Sequence, residues 1–197
     1  MSKYWMPSIE KKSSAGIREI TLPGSLLSDR KVFLTGAVDS LAAEHLVMQL
    51  MYLESQSKEE AVRIYIDSPG GEVQSGLMIY DAIKALSCPV ETCCLGTAAS
   101  MASVILTAGD KGRRFILPHG QTLIHEPQIS DGIGGSASSI KNIADSILET
   151  RRILNKILSD CTGKTPEEIE TVMKAGSFMG AEESVAFGIC DEIMEHF

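Results

Sequence analysis

Short apolar runs alternate along this chain with longer stretches in which apolar residues recur every three or four positions, and that pattern predicts strands each followed by an amphipathic helix. Segments 32–36, 62–66 and 90–95 predict strands. The helices that follow them are predicted over 41–53, with Leu46, Leu50 and Leu53 on one face, over 73–86, with Leu77, Ile79, Tyr80 and Ile83, and over 99–108. Between the second strand and its helix, Ser68-Pro69-Gly70-Gly71 reads as a turn. Repeated βα units of this kind place the chain in the α/β class, with a largely parallel sheet and right-handed crossovers.

The pattern changes at both ends of this block. Residues 10–16 are polar and lie between the isolated Ile9 and Ile17, so they bury too little surface to order themselves; a mobile N-terminal loop is expected within 1–19. Residues 128–135 hold three glycines and no period, and predict a second mobile loop. From 139 to 160 the residues Ile140, Ile143, Ile147, Leu148, Leu154, Ile157 and Leu158 predict one long helix of about six turns, which would project beyond a compact domain. Thr162-Gly163 stops it, and Thr165-Pro166-Glu167-Glu168 opens the next helix with an N-cap, a first-turn proline and a capping box. A short helix over 181–187, a stop at Gly188 and a strand near 189–193 close the chain. No linker separates two units, so 1–197 is expected to be a single domain.

Composition narrows the function. A chain of 197 residues with 44% hydrophobic residues suffices for one sizeable core. There is no apolar run approaching the roughly 18 residues of a membrane span and no secretory leader at the start, which predicts a cytoplasmic protein without membrane association. The net charge of −8, with Lys and Arg in pairs at most, argues against a nucleic-acid partner. The five cysteines form no CxxC pair, so no metal site and no cofactor are expected, only reduced and mostly buried thiols. Adjacent in a strand, Cys93 and Cys94 should face opposite sides of the sheet.

Two places carry candidate chemistry. Gly96-Thr97-Ala98-Ala99-Ser100-Met101-Ala102 reads as a strand leaving through small residues into a helix, with a hydroxyl at the bend. A serine attacks a carbonyl only when a base takes its proton and donors await the oxyanion. The amide of Met101 would sit at a helix N-terminus, and Gly70-Gly71 at the end of the neighbouring strand would let a second amide approach. His125 ends the apolar run Leu123-Ile124 and is the candidate base. His45, His119 and His196 read as surface or capping residues, and Ser103 as a packing serine.

At these residues the chain resembles the proteolytic subunit of the Clp protease, a serine peptidase of the ClpP/crotonase-type fold. Ser-Pro-Gly-Gly at 68–71, Ala-Ala-Ser-Met at 98–101, Ile124-His125-x-Pro127 and Phe178-Met179-x-Ala181-Glu182-Glu183 follow the family's order and nearly its spacing, from about Met6 to Phe197. The resemblance implies Ser100 as nucleophile, His125 as base then acid, and the amides of Gly71 and Met101 as the oxyanion hole. It also implies an N-terminal axial loop, a handle over 128–160, stacked heptameric rings forming a tetradecamer, and polypeptide substrates delivered by an ATP-dependent AAA+ unfoldase. One departure stands out: the family's triad Asp, two residues before Phe178 and usually preceded by Arg, is here Gly176, preceded by Ala175. Such a site would be weak alone, and a water, a backbone carbonyl, Glu126 or Ser177 is left to orient His125. Glu126 should point away if 124–126 are extended. The cleft that receives the unfoldase would draw on Tyr65, Leu95, Phe115 and Leu117, although Arg63 and Ala85 stand where aromatics are usual. A non-catalytic subunit of a mixed assembly is the alternative. A crotonase-type acyl-CoA enzyme fits less well, because that chemistry wants positioned carboxylates.

Overall fold

β-branched residues punctuate the N-terminal stretch, and its backbone pairs. In the computed structural model, which describes residues 6–13, 16–129 and 134–196, β1 (Ser8–Ser13) and β2 (Gly16–Thr21) form an antiparallel pair with Ile9 opposite Ile20. The segment expected as a loop is thus a hairpin where it is described; residues 1–5 and 14–15 lie outside the described residues. Ile17 remains 62% exposed, so ladder hydrogen bonds, not a buried face, organise it. α1 (Leu22–Ser28) follows, with Thr21 Oγ1 accepting from the Gly24 N–H at 3.2 Å and Pro23 in the first turn. At seven residues it is too short for periodicity to reveal.

The βα units then run in order: β3 (Lys31–Val38), α2 (Ser40–Gln56), β4 (Val62–Gly71), α3 (Val73–Ala85), β5 (Val90–Ala99) and α4 (Met101–Thr107). Asp39 caps α2, its Oδ1 accepting from the Ala42 N–H at 2.8 Å. β6 (Arg114–Ile116), β7 (Gln121–Leu123), α5 (Ala137–Thr162), α6 (Pro166–Ala175), β8 (Phe178–Met179), α7 (Ala181–Phe187) and β9 (Glu192–Ile193) complete the described chain. The main sheet has seven strands in the order β3-β4-β5-β6-β9, all parallel, while β7 pairs parallel with β5 and antiparallel with β8. The mixed α/β class and the parallel sheet agree with the sequence reading.

One side of the sheet carries the main core, in which Leu46, Leu50 and Leu53 of α2, Ile79 and Ile83 of α3 and Ile105 of α4 cover Ile64, Ile66 and Cys94. Each such side chain contributes about 1.5–3 kcal/mol when taken out of water. The other side holds a smaller cluster of Tyr65, Cys93 and Met194 with Leu95, Phe115 and Leu117 around it. Cys93 and Cys94 therefore face opposite ways, as the strand period requires. All five thiols are free, and burial pushes that of Cys93 up to about 11 and that of Cys94 up to about 12.

Two differences from the sequence reading shape the site. β4 runs on through Gly71 where a turn was expected, and β5 runs through Ala99 where a helix was expected to begin. The reason is Asp67. Its Oδ1 accepts from the Thr97 N–H at 2.9 Å, and the ladder slips between Ile66 and Ser68, so both strands continue beyond an irregularity that composition alone reads as their end. A Cβ on Gly96 would lie 2.9 Å from that carboxylate oxygen.

The helix expected as a handle, α5, has 26 residues and spans about 39 Å by the usual rise. Its buried residues, Leu154, Leu158 and Thr162, all fall near its C-terminal end, so the preceding turns extend away from the core. Gly163, in the left-handed region at φ 76°, stops it, and the expected capping box of α6 is present between Thr165 and Glu168. In the loop expected over 128–135, residues 130–133 lie outside the described residues.

Candidate active site

Small residues bring β5 tightly under α4, and the bend falls on Ser100. Its φ of 56° and ψ of −125° place a non-glycine residue in a sparsely populated conformation, a strained strand-to-helix turn of the kind that can present a nucleophile. Several contacts hold that strain. The Ser100 N–H donates to the Leu123 carbonyl at 2.8 Å, and its own carbonyl accepts from the Ser103 N–H at 3.0 Å. Gly70 closes from below: a Cβ there would come 2.5 Å from Ala99 O and 2.6 Å from Ser100 Cβ, and its φ of 88° suits glycine.

Ser103 has more than a packing role. Fully buried, its hydroxyl lies within hydrogen-bond reach of the carbonyls of Ala98 and Leu123, at 2.8 Å from the latter, and accepts the Leu123 N–H at 3.3 Å. It fastens β7 to the bend, two residues before His125.

Gly71 and Met101 flank the same opening. Val38 pairs with Gly71, yet the Val38 carbonyl takes the Glu72 N–H at 2.8 Å, which leaves the Gly71 amide unspent on β3. A Cβ on Gly71 would collide with that carbonyl at 2.2 Å. Met101 begins α4, where first-turn amides have no intrahelical acceptor, and its side chain packs so close to α3 that a Cβ on Gly76 would lie 2.5 Å from Met101 Cε.

His125 follows the buried Ile124. Its Nδ1 lies 2.6 Å from the carbonyl oxygen of Glu126. A carbonyl has no hydrogen to give, so Nδ1 donates; in the neutral ring this leaves the lone pair on Nε2, the tautomer a general base needs. The Glu126 side chain is engaged elsewhere, although β7 ends at Leu123: Arg151 Nη1 donates to its Oε1 at 2.9 Å. No hydrogen bond joins Ser100 to His125, or Ser177 to His125, among the described residues. Ser100 and His125 do share one cavity of about 200 Å³, lined also by Pro69, Gly71, Met101 and Met173.

Gly176 lies behind the histidine. It is the C-cap of α6, in the left-handed region at φ 59°, and a Cβ built on it would be 3.8 Å from His125 Cβ. The glycine therefore stands beside His125 and offers it no side chain. A family model described as Clp protease matches residues 14–197. The chain belongs to the Clp protease family. Membership makes it a Clp-type peptidase in fold and, in general terms, a relative of serine hydrolases.

Sequence spacing had pointed to Ser100, His125, Gly71, Met101 and Gly176, and all five meet around or behind this cavity. It did not single out the Glu126 carbonyl as the partner of Nδ1, since every residue carries a carbonyl. Nor did it find Arg151, whose partner lies 25 residues away on another element. Tyr65, Leu95, Phe115 and Leu117 do meet, in the small cluster on the opposite side of the sheet. Arg63 joins them, with its guanidinium 5.9 Å from the Phe115 ring centre and paired to Glu91 at 2.7 Å. No group of residues suited to a metal ion occurs among the described residues, and no described helix is long and apolar enough to cross a membrane.

Proposed function

We propose that this protein is the proteolytic subunit of an ATP-dependent Clp-type serine protease that hydrolyses peptide bonds of unfolded polypeptides inside a chamber of stacked heptameric rings. The observation that carries this reading is the strained Ser100 in one cavity with His125 and the glycine-lined end of β4. Ser100 Oγ attacks the scissile carbonyl as His125 Nε2 takes its proton; the amides of Gly71 and Met101 receive the oxyanion; His125 then protonates the leaving amine, and water completes the cycle through the same histidine.

The Nδ1–H bond to the Glu126 carbonyl supports the correct tautomer, but a neutral carbonyl stabilises an imidazolium far less than a carboxylate does. In a serine protease with a complete triad, replacing the carboxylate that accepts from Nδ1 by an amide lowers turnover by roughly ten-thousandfold. With Gly176 the isolated protein should therefore be slow, and brisk turnover would fall to rings mixed with a triad-complete paralogous subunit. A cytoplasmic setting and an AAA+ unfoldase docking over Tyr65, Phe115 and Leu117 belong to the same proposal. The test is hydrolysis of a fluorogenic peptide with native mass as the control for assembly; fast hydrolysis by the protein alone would contradict the weak-site reading, and hydrolysis unchanged in Ser100→Ala would overturn the whole assignment.

A second reading has one observation in its favour: Ser100 and His125 are not hydrogen-bonded to each other. On that reading the chain is a non-catalytic subunit of a mixed assembly. Covalent capture of Ser100 by a fluorophosphonate separates the two, because an idle serine does not react.

A further inference from the structure

The peptide that orients His125 is itself held from two sides, by α6 and by the handle. The Glu126 N–H donates to Met173 O at 3.2 Å, near the end of α6. The Glu126 carboxylate accepts from Arg151 on the handle at 2.9 Å. Arg151 also lies 3.8 Å from Glu170 of α6, which pairs with Lys174 at 2.8 Å. Both Glu126 and Arg151 are about two-thirds shielded, at 37% and 35% side-chain exposure. The Nδ1 acceptor is the carbonyl of the same residue whose side chain the handle grips.

We infer that Arg151 and Glu126 are positioning residues for His125: the handle-borne ion pair fixes the Glu126 peptide so that its carbonyl keeps the Nδ1 proton, in place of the carboxylate that Gly176 lacks. This rests on the reading of His125 as the general base. The physical reason is that a carbonyl in a chain segment restrained only by one backbone bond at 3.2 Å can rotate away from the ring, whereas a side chain anchored to a helix limits that rotation. The same arrangement makes the handle's attitude a determinant of the histidine's tautomer.

The experiment is solid-state nitrogen NMR of histidine-labelled protein in the wild type and in Arg151→Gln, Glu126→Gln and the charge-exchanged double variant Glu126→Arg/Arg151→Glu. The protein has four histidines, so the His125 signals are assigned by difference with His125→Gln. The wild type should show His125 protonated at Nδ1 alone. Each single variant should give a mixture of the two tautomers, with kcat for a fluorogenic peptide down about threefold to fivefold, as expected for one ion pair about two-thirds shielded, and KM unchanged. The exchanged pair should restore both readouts. An Nδ1-protonated His125 in Arg151→Gln, or a double variant no better than the singles, would overturn the inference. Tautomers that shift as expected in a protein that hydrolyses nothing would leave the inference standing and count against the proteolytic reading instead.

Discussion

The two halves of the site are built differently. Ser100 is gripped by the sheet and by α4: its N–H bonds to β7, its carbonyl accepts from the first turn of α4, Gly70 packs beneath it, and the buried Ser103 hydroxyl ties α4 to β7. His125 hangs beyond the end of β7, tied by its ring to one carbonyl and by the next residue to α5 and α6. Gly176, which offers the ring no side chain, belongs to the second half. A sheet-borne bend cannot lose a contact without disturbing the core, whereas a ring partner on a helix cap is removable: Gly176 suits its left-handed C-cap position and leaves the fold intact.

Breaking the nucleophile half should have the largest consequence. Ser100→Ala should lower peptide hydrolysis to background and abolish fluorophosphonate labelling, while native mass and thermal melting stay unchanged. Gly70→Ala attacks the support of the same half; a Cβ 2.5 Å from Ala99 O at a φ of 88° should destabilise the protein by about 3 kcal/mol, read as a lowered denaturant midpoint at constant slope.

Repairing the histidine half comes next. Gly176→Asp places a Cβ in ordinary contact with His125, 3.8 Å from its Cβ, and Asp tolerates the left-handed region better than most residues. The expected gain is on the order of tenfold to a hundredfold in kcat, with a loss of about 1 kcal/mol of stability. A rate that does not move, in a protein shown to remain assembled, would mean that something other than histidine orientation limits turnover.

Ser103→Ala probes the seam between the halves. It leaves the Leu123 N–H without its buried acceptor and should cost about 1–3 kcal/mol, with a smaller loss of activity as β7 loosens. The smallest effect on activity belongs to a contact outside both halves. Burial disfavours the charge on Asp191, but hydrogen bonds and charge from Arg114, with the Gly112 N–H, outweigh it and hold the carboxyl at about 2. A lowered folded value means stability that is present above the unfolded value of about 3.9 and lost as pH falls from there towards about 2. Urea midpoints of Asp191→Asn should accordingly differ from the wild type by a constant amount above about pH 5 and converge below about pH 4. A gap that persists unchanged to about pH 2 would show that the carboxylate charge contributes nothing.

The fold was legible where periodicity is strong. Leu46, Leu50 and Leu53, the helix that ends before Gly163 and the capping box at Thr165 announce themselves through spacing and cap chemistry, and the structure keeps them within a few residues. The hairpin of β1 and β2 was not legible, because polar residues such as Glu10 and Lys11 hide a pairing that is made by the backbone. The extension of β4 and β5 was hidden for a related reason: glycine and proline at 68–71 read as a turn unless the Asp67 carboxylate is known to bridge to Thr97.

By itself the sequence determined the α/β class, the Clp protease family, the position of Ser100 at a strand-to-helix bend and the absence of a side chain at Gly176, since each depends on residue type at a given place in the chain. Only the tertiary structure decided what His125 leans on. The Glu126 carbonyl is a backbone group, and the Arg151 contact joins residues brought together by the packing of α5 and α6 against the sheet. Backbone acceptors and long-range ion pairs leave no pattern in residue order, because any chain offers many of them and geometry alone selects which are used.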